Sequence, residues 1–387
     1  GITDQAFWTA YNPNDGKFYL ARSTDNGIFT KYSGVETEVW TYDGMNWKNV
    51  SPVGKATGES GNYQLVFDPR HKSSYFYSTR YKKITIDVVN DVKRSTSTIA
   101  HVVNDTILVN YNYTNCPITF MNSIALDNDG NLWGVQSYTS SVSPNFDYVR
   151  ILPKEKLYDP NVTIDDWIVP NLDGPRSSFK AARLVTSHGS DIKVFSTGSF
   201  GGPIMFWDNG GDIHNLNPRE VSYTSLPDNY RSLFSWQYVR CLTPDTLGNI
   251  WVGTTSGLFH MNPADAFKPN FSITRTKIKG NYLLDGEDIY AIAIDSLNRK
   301  WVATASQGAL LLNEDATEIL MQFDASNSIL PSNTIYNICP LPNSNSVMFV
   351  TDIGVAQYYF DPQDDAGNND NVQVIPNPVL PEFTGYV

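Results

Sequence analysis

The side chains in this chain best suited to chemistry are acidic, and they recur in one setting. Asp127-Asn128-Asp129-Gly130-Asn131 has the D-x-D-G spacing of a loop that could surround a hard cation with oxygen ligands. The same residue types make a tight hairpin turn, with Asp and Asn accepting local backbone bonds and Gly at positive φ. Related segments start at Asp245 and Asp295 and lack the second carboxylate. The turn is therefore the expectation, no cofactor is expected, and Asp127 with Asp129 stands as the alternative Ca²⁺ site. A second acidic run, Asp361 to Asp370, reads as a solvated linker. Asp165-Asp166 offers two carboxylates of the kind used in glycoside cleavage. Read as part of a strand, the two would point to opposite faces and could not share a site.

Other chemistries find less support. His71, His101, His188, His214 and His260 show neither H-x₃-H nor H-E-x-x-H spacing. No nucleophile elbow or phosphate loop is present. The three cysteines, Cys116, Cys241 and Cys339, have no metal-type spacing and read as small buried thiols. A net charge of −12 argues against nucleic acid and anionic membrane as partners, because both need a basic patch. No apolar run is long enough to insert in a membrane.

The elements that must position these residues repeat along the chain. Ser123–Gln136, Arg240–Asn262 and Ala291–Asn313 each show an alternating strand, an Asp, a polar turn and a Trp-bearing strand. Asp127 precedes Trp133 by the interval that separates Asp245 from Trp251 and Asp295 from Trp301. Weaker copies align to give Tyr19, Phe76, Trp133, Val194, Trp251, Trp301 and Met348, at intervals of 57, 57, 61, 57, 50 and 47 residues. A near-constant period made only of strands predicts a β-propeller. The fold class expected is all-β: seven blades of four-stranded antiparallel sheet, followed by the truncated start of a β-sandwich. The propeller is expected over 1–371, with blades near 6–52, 62–115, 118–170, 179–227, 237–280, 288–325 and 334–376. Residues 372–387 then read as a last strand and linker into a C-terminal sandwich missing from this chain. In blade 2 the strands are expected at Tyr63–Phe67, Ser74–Thr79 and Ile84–Val89; in blade 1, Gly27–Tyr32 is read as strand. At 41% hydrophobic and 18% charged, the chain has the composition of a packed domain.

The segment Asp245-Thr246-Leu247-Gly248-Asn249-Ile250-Trp251-Val252-Gly253-Thr254, with Gly257-Leu258, resembles the two-component-regulator propeller repeat of Bacteroidetes. Blade 6 departs from it at Arg299 and Ala303. The tail Ile375-Pro376-Asn377-Pro378-Val379 resembles the opening of the last domain in PorZ-like proteins, with Ile in place of an aromatic residue. The resemblance implies a sensor ectodomain of a hybrid histidine kinase, or a PorZ-like propeller of the type IX secretion system. Either would work in the periplasm or at the cell surface. The segment around Asp127 also approaches the S-x-D-x-G-x-T-W box of sialidase-type propellers, but its Gly is displaced and the leading Ser or Thr is missing.

In such a fold, the loops from fourth to first strand and from second to third strand gather on one face. Here they carry Tyr138, Phe146, Arg176, Phe200, Tyr230, Arg231, Trp236 and Tyr282. Aromatic rings beside polar groups suit saccharides or protein partners. The same rings could instead cover the core beneath long loops. The expected function is non-enzymatic recognition of a glycan or protein at this face. The alternative is a polysaccharide lyase or glycoside hydrolase on the same scaffold.

Overall fold

The computed structural model describes residues 8–23, 37–51, 64–79, 84–87, 92–95, 98–111, 116, 121–136, 149–170, 181–197, 204–215, 219–223, 239–328, 330–360 and 372–375. Among them all regular structure is strand, apart from four short 3₁₀ turns. Seven antiparallel sheets follow one another along the chain. Blade 1 comprises Trp8–Asn12, Lys17–Ser23, Thr37–Tyr42 and Trp47–Asn49. Blade 2 comprises Gln64–Phe67, Ser74–Thr79, Thr98–Val103 and Thr106–Tyr111, and blade 3 comprises Met121–Leu126, Leu132–Gln136 and Val149–Leu152. Ala181–Thr186, Ile192–Thr197, Ile204–Asp208 and Arg219–Tyr223 make blade 4. Val239–Pro244, Ile250–Thr254, Gly257–Met261 and Thr274–Arg275 make blade 5. Blade 6 is Ile289–Ile294, Lys300–Thr304, Ala309–Leu312 and Ile319–Phe323; blade 7 is Ile335–Leu341, Ser346–Thr351, Val355–Tyr359 and Val372–Ile375.

The first strands of neighbouring blades touch all the way round, with Ile335–Leu341 against Trp8–Asn12 closing the ring. The molecule is thus a seven-bladed propeller with the first strands at its centre. Its core is divided among the seven gaps between blades. One apolar cluster fills each gap, and each holds one member of the aligned series: Tyr19, Phe76, Trp133, Val194, Trp251, Trp301 or Met348. This is why the second strands read apolar on both faces. Ile250–Thr254 and Lys300–Thr304 are buried at every residue, because each is covered by a blade on either side. The closing seam packs Cys339, Met348, Val350 and Val355 against Phe18, Leu20 and Tyr42. Among the described residues each blade takes its strands from one stretch of chain, and side-chain packing joins the last blade to the first.

Three local expectations need correction. Ile84–Asp87 is not the third strand of blade 2: it pairs with Val92–Ser95 in a separate ribbon, and Thr98–Val103 takes the third place. An alternating pattern marks a strand without naming its partner. Blade 3 has three full strands, and its fourth is reduced to one bridge, Ile151 with Ile168. Asp165 and Asp166 lie in a 3₁₀ turn, not on a strand. Gly27–Tyr32 falls outside the described residues.

Candidate functional site

The Asp–Trp spacing has a direct structural cause. The indole Nε1 of Trp133 donates to Asp127 Oδ2 at 2.8 Å, Trp251 to Asp245 at 3.0 Å, and Trp301 to Asp295 at 3.3 Å. Each Asp opens the turn between first and second strands, and each Trp lies one residue into the next strand, opposite the residue two before the Asp. A buried indole N–H thereby finds an acceptor. Asp127 Oδ1 also accepts the N–H groups of Asp129 and Asn131 at 3.1 and 2.8 Å. Both Asp127 oxygens are therefore used by the turn itself. In blade 6, Arg299 Nε occupies the place of the Asn carboxamide, 2.7 Å from Asp295 Oδ2, so that departure from the repeat keeps the arrangement.

Sequence reasoning missed two members of this series. By strand register, Asp68 and Asn12 hold the equivalent position in blades 2 and 1. Asp68 is fully buried and accepts from Arg70 Nε and Nη2 at 2.9 and 3.0 Å and from the Tyr158 hydroxyl at 2.7 Å. Burial alone would raise its carboxyl, but the bonds from Arg70 and Tyr158 hold it below its usual range. Turns of successive blades are also linked: Asn14 to Asp68 O, Arg70 to Gly130 O, Asn128 to Ser190 O, Ser187 to Gly248 O, and Asn298 to the Thr246 N–H. This face is a hoop of short, mutually bonded turns.

On the opposite face, Tyr282 is the one expected ligand residue that the structure describes. Tyr138, Phe146, Arg176, Phe200, Tyr230, Arg231 and Trp236 lie outside the described residues. Tyr282 is described: it sits on the two-residue strand Asn281–Tyr282, paired with Lys277–Ile278. The Arg275 guanidinium lies 4.2 Å from its ring centre and the Lys277 ammonium 4.5 Å. Arg275 is itself buried and ion-paired with Asp285.

On the same side, the channel mouth holds a cluster that the sequence did not suggest. In blades 3 to 7 the first strand bulges near its start, between Met121 and Ser123, Ala181 and Arg183, Val239 and Cys241, Ile289 and Ala291, and Ile335 and Asn337. A bulge bends its strand and re-aims one side chain. In blades 5 to 7 the bulged residues are Arg240, Tyr290 and Tyr336. The Arg240 guanidinium lies 5.7 Å from the Tyr290 ring centre, and the Tyr290 and Tyr336 rings lie 5.5 Å apart. Asp288 receives Arg240 Nε at 2.9 Å and Nη2 at 2.6 Å, a forked charge-assisted pair. Beside this half-buried pair Glu287, which is buried, accepts from the Ser306 N–H at 2.7 Å and from Gln307 Nε2 at 3.2 Å. Three blades thus present a cation, a carboxylate and two phenols on a braced rim.

Two other groupings of chemical side chains are sealed or already engaged. Ser74 Oγ lies 2.8 Å from His101 Nε2, the geometry of a nucleophile and base, but both residues are shut from solvent between blades 2 and 3. Burial pulls the His101 pKa down to about 4. Asp166 accepts the Thr163 N–H and pairs with Lys156 at 2.8 Å, which draws its pKa to about 2. Among the described residues, no group of three or more His, Cys, Asp or Glu side chains is arranged to hold a metal.

Comparison with known proteins agrees with the fold. Residues 234–256 match the family described as two component regulator propeller. No curated protein matches the chain. PorZ of Porphyromonas gingivalis, described as a bacterial surface component of the type-IX secretion system, superposes with a TM-score of 0.66. It is 16% identical, with 97% of this chain and 55% of PorZ covered. The extracellular domain of a putative hybrid two component system of B. thetaiotaomicron, BT3049, gives 0.52 at 13% identity, covering 90% of this chain and 39% of that one. The periplasmic gluconolactonase of Pseudomonas aeruginosa gives 0.54 at 13% identity, covering 94% of this chain and all of that one. At these identities the likeness is one of fold. The chain spans about half the length of PorZ and two fifths of BT3049. The segment similar to the two-component-regulator propeller repeat falls in blade 5 of the seven-bladed scaffold.

Proposed function

We propose that this propeller is a non-enzymatic recognition module working outside the cytoplasm, in a sensor or a secretion-associated assembly. Its ligand, a glycan or a protein, sits on the face where first strands begin. The observation that carries this reading is the row Arg240, Tyr290 and Tyr336, turned onto the channel rim by aligned bulges in three adjacent blades. A phenol row suits stacking and hydrogen bonding, and the carboxylates beside it are already engaged, Asp288 by Arg240 and Glu287 by Ser306 and Gln307. By chain order, Tyr138, Phe146, Arg176, Phe200, Tyr230, Arg231, Trp236 and Tyr282 belong to connections on this same side, and the binding surface extends over them.

Fold alone cannot separate recognition from catalysis, since a gluconolactonase shares the scaffold. What favours recognition is that the Ser74–His101 pair has no access and that Asp166 is held by Lys156 and Thr163. The test is a panel of plant, host and bacterial polysaccharides together with a bacterial surface-protein fraction. Saturable binding without product release is expected. Cleavage of any polysaccharide, abolished by one carboxylate substitution, would overturn the reading in favour of a lyase or hydrolase.

A further inference from the structure

Blade 5 differs from its neighbours at its outer end, on the face of the turns. Its third and fourth strands are joined by a long connection, Asn262 to Ile273, where blade 6 uses a short one. The connection starts in a 3₁₀ turn, Pro263–Asp265, capped by the Asn262 side chain, which accepts the Ala264 N–H at 3.0 Å. Its aromatic residues pack into the gap between blades 4 and 5. Phe271 packs edge-on to Phe206 at 5.1 Å, and the Arg219 guanidinium covers the Phe267 ring at 4.0 Å. Between this connection and the end of blade 5 lies an open cleft of about 630 Å³.

The cleft lies on the opposite face from the channel-mouth row and shares no residue with it. Its walls carry three carboxamides, from Asn249, Asn262 and Asn270, and the hydroxyls of Ser272 and Thr274. Phe271, Pro269 and Met261 give it an apolar floor. The only charges among its lining residues, Lys268 and Asp265, neutralise each other in an ion pair. His260 is stacked on Trp251 at 4.9 Å, and burial disfavours its charged form. A carboxamide offers both donor and acceptor, as a hydroxyl does. The walls therefore match a ligand dense in groups that both give and accept, with a C–H face to lay on the floor. They do not match a phosphate or a carboxylate, for which no unpaired cation stands ready.

We infer that this cleft is a second binding site, for a neutral saccharide of one or two rings, independent of the channel-mouth surface. A volume of this size lies within the range of small-molecule pockets. The site would let the propeller hold a sugar on one face while the other face engages its principal ligand.

The experiment is a titration, by ligand-observed NMR and calorimetry, of the whole chain with glucose, galactose, N-acetylglucosamine, cellobiose and lactose, beside glucuronate and inorganic phosphate. At least one neutral sugar should saturate. Ser272→Trp fills the cleft from an exposed position and should weaken that sugar by about tenfold or more. Asn270→Ala, also exposed, should weaken it by a smaller factor. Leu297→Ser, exposed and part of neither surface, should leave it unchanged, and weakening by Tyr290→Ala instead of by Ser272→Trp would put the sugar at the channel mouth and overturn the assignment. Failure of every neutral sugar to saturate, indifference to Ser272→Trp, or preference for glucuronate or phosphate would each overturn the assignment.

Discussion

At the residue scale, the repeat is a hydrogen bond made visible in sequence. Trp133, Trp251 and Trp301 stood out because the indole must reach an Asp across a turn of fixed length. Asp68 escaped notice because its turn is longer and its acceptors serve Arg70 and Tyr158 instead of an indole. The partners of Lys193 and Lys300 were equally hidden, because each lies in the preceding blade. Lys193 places its ammonium 4.9 Å from the Trp133 ring centre and Lys300 5.0 Å from that of Trp251. Lys300 also stands 3.5 Å from Asp245 Oδ2, and burial lowers the pKa of both lysines. Trp251→Ala should therefore remove core area, an indole donor and the surface beneath a buried ammonium, costing about 3–5 kcal/mol. Urea unfolding measures it, and a midpoint equal to wild type would contradict the arrangement.

His101 gives a pH dependence of definite sign. Its folded pKa of about 4 lies below the ordinary 6.5. The unfolded chain therefore binds the proton more readily than the folded one. The stability it contributes is full above pH 6.5 and is lost as the pH falls towards 4, by at most about 3 kcal/mol. Stability measured from pH 7 to 4 should drop less steeply in His101→Gln than in wild type. Parallel curves would show that the ring titrates normally.

At the scale of the element, the strands were legible where alternation and burial agree, and partnership was not. Ile84–Asp87 has strand alternation, yet it pairs with Val92–Ser95 outside the blade. The bulges of blades 3 to 7 were invisible because a bulge is a relation of register between two strands, and the residues in it, Asn122, Ala182, Arg240, Tyr290 and Tyr336, are of no single type. Turn chemistry is more readable. Gly308, with φ of 75°, closes the turn after Lys300–Thr304, and a Cβ there would sit 1.9 Å from the Phe323 carbonyl oxygen. Gly44 also has positive φ but meets nothing within 4 Å. Gly44→Ala should cost about 1 kcal/mol, the ordinary penalty of that conformation, and Gly308→Ala distinctly more. Thermal melts of the two variants make the comparison, and equal shifts would mean that the Phe323 carbonyl yields without cost.

At the scale of the whole molecule, the sequence period sets the blade number, and the blade number sets a rigid ring. Seven clusters fill seven gaps, with the last gap closed by side chains of Phe18, Leu20 and Tyr42 on those of blade 7. A scaffold built this way separates its faces. The turn side is a series of bonded turns with an open cleft at blade 5, and the loop side gathers the channel mouth. The sequence pointed to that loop side through its aromatic residues. It could not single out Arg240, Tyr290 and Tyr336, which stand 50 and 46 residues apart and meet only because successive blades pack side by side.

The central claim is that recognition happens at this channel mouth. The direct measurement is binding to the polysaccharide panel and surface-protein fraction by wild type, Arg240→Ala, Tyr290→Ala and, on the turn face, Leu297→Ser. Leu297 is 65% exposed, so its replacement leaves the core intact. Binding should fall by about tenfold in each channel-mouth variant, as loss of one stacked ring or one forked cation implies, and should be unchanged in Leu297→Ser. Full binding by both channel-mouth variants, or equal loss in all three, would contradict the account.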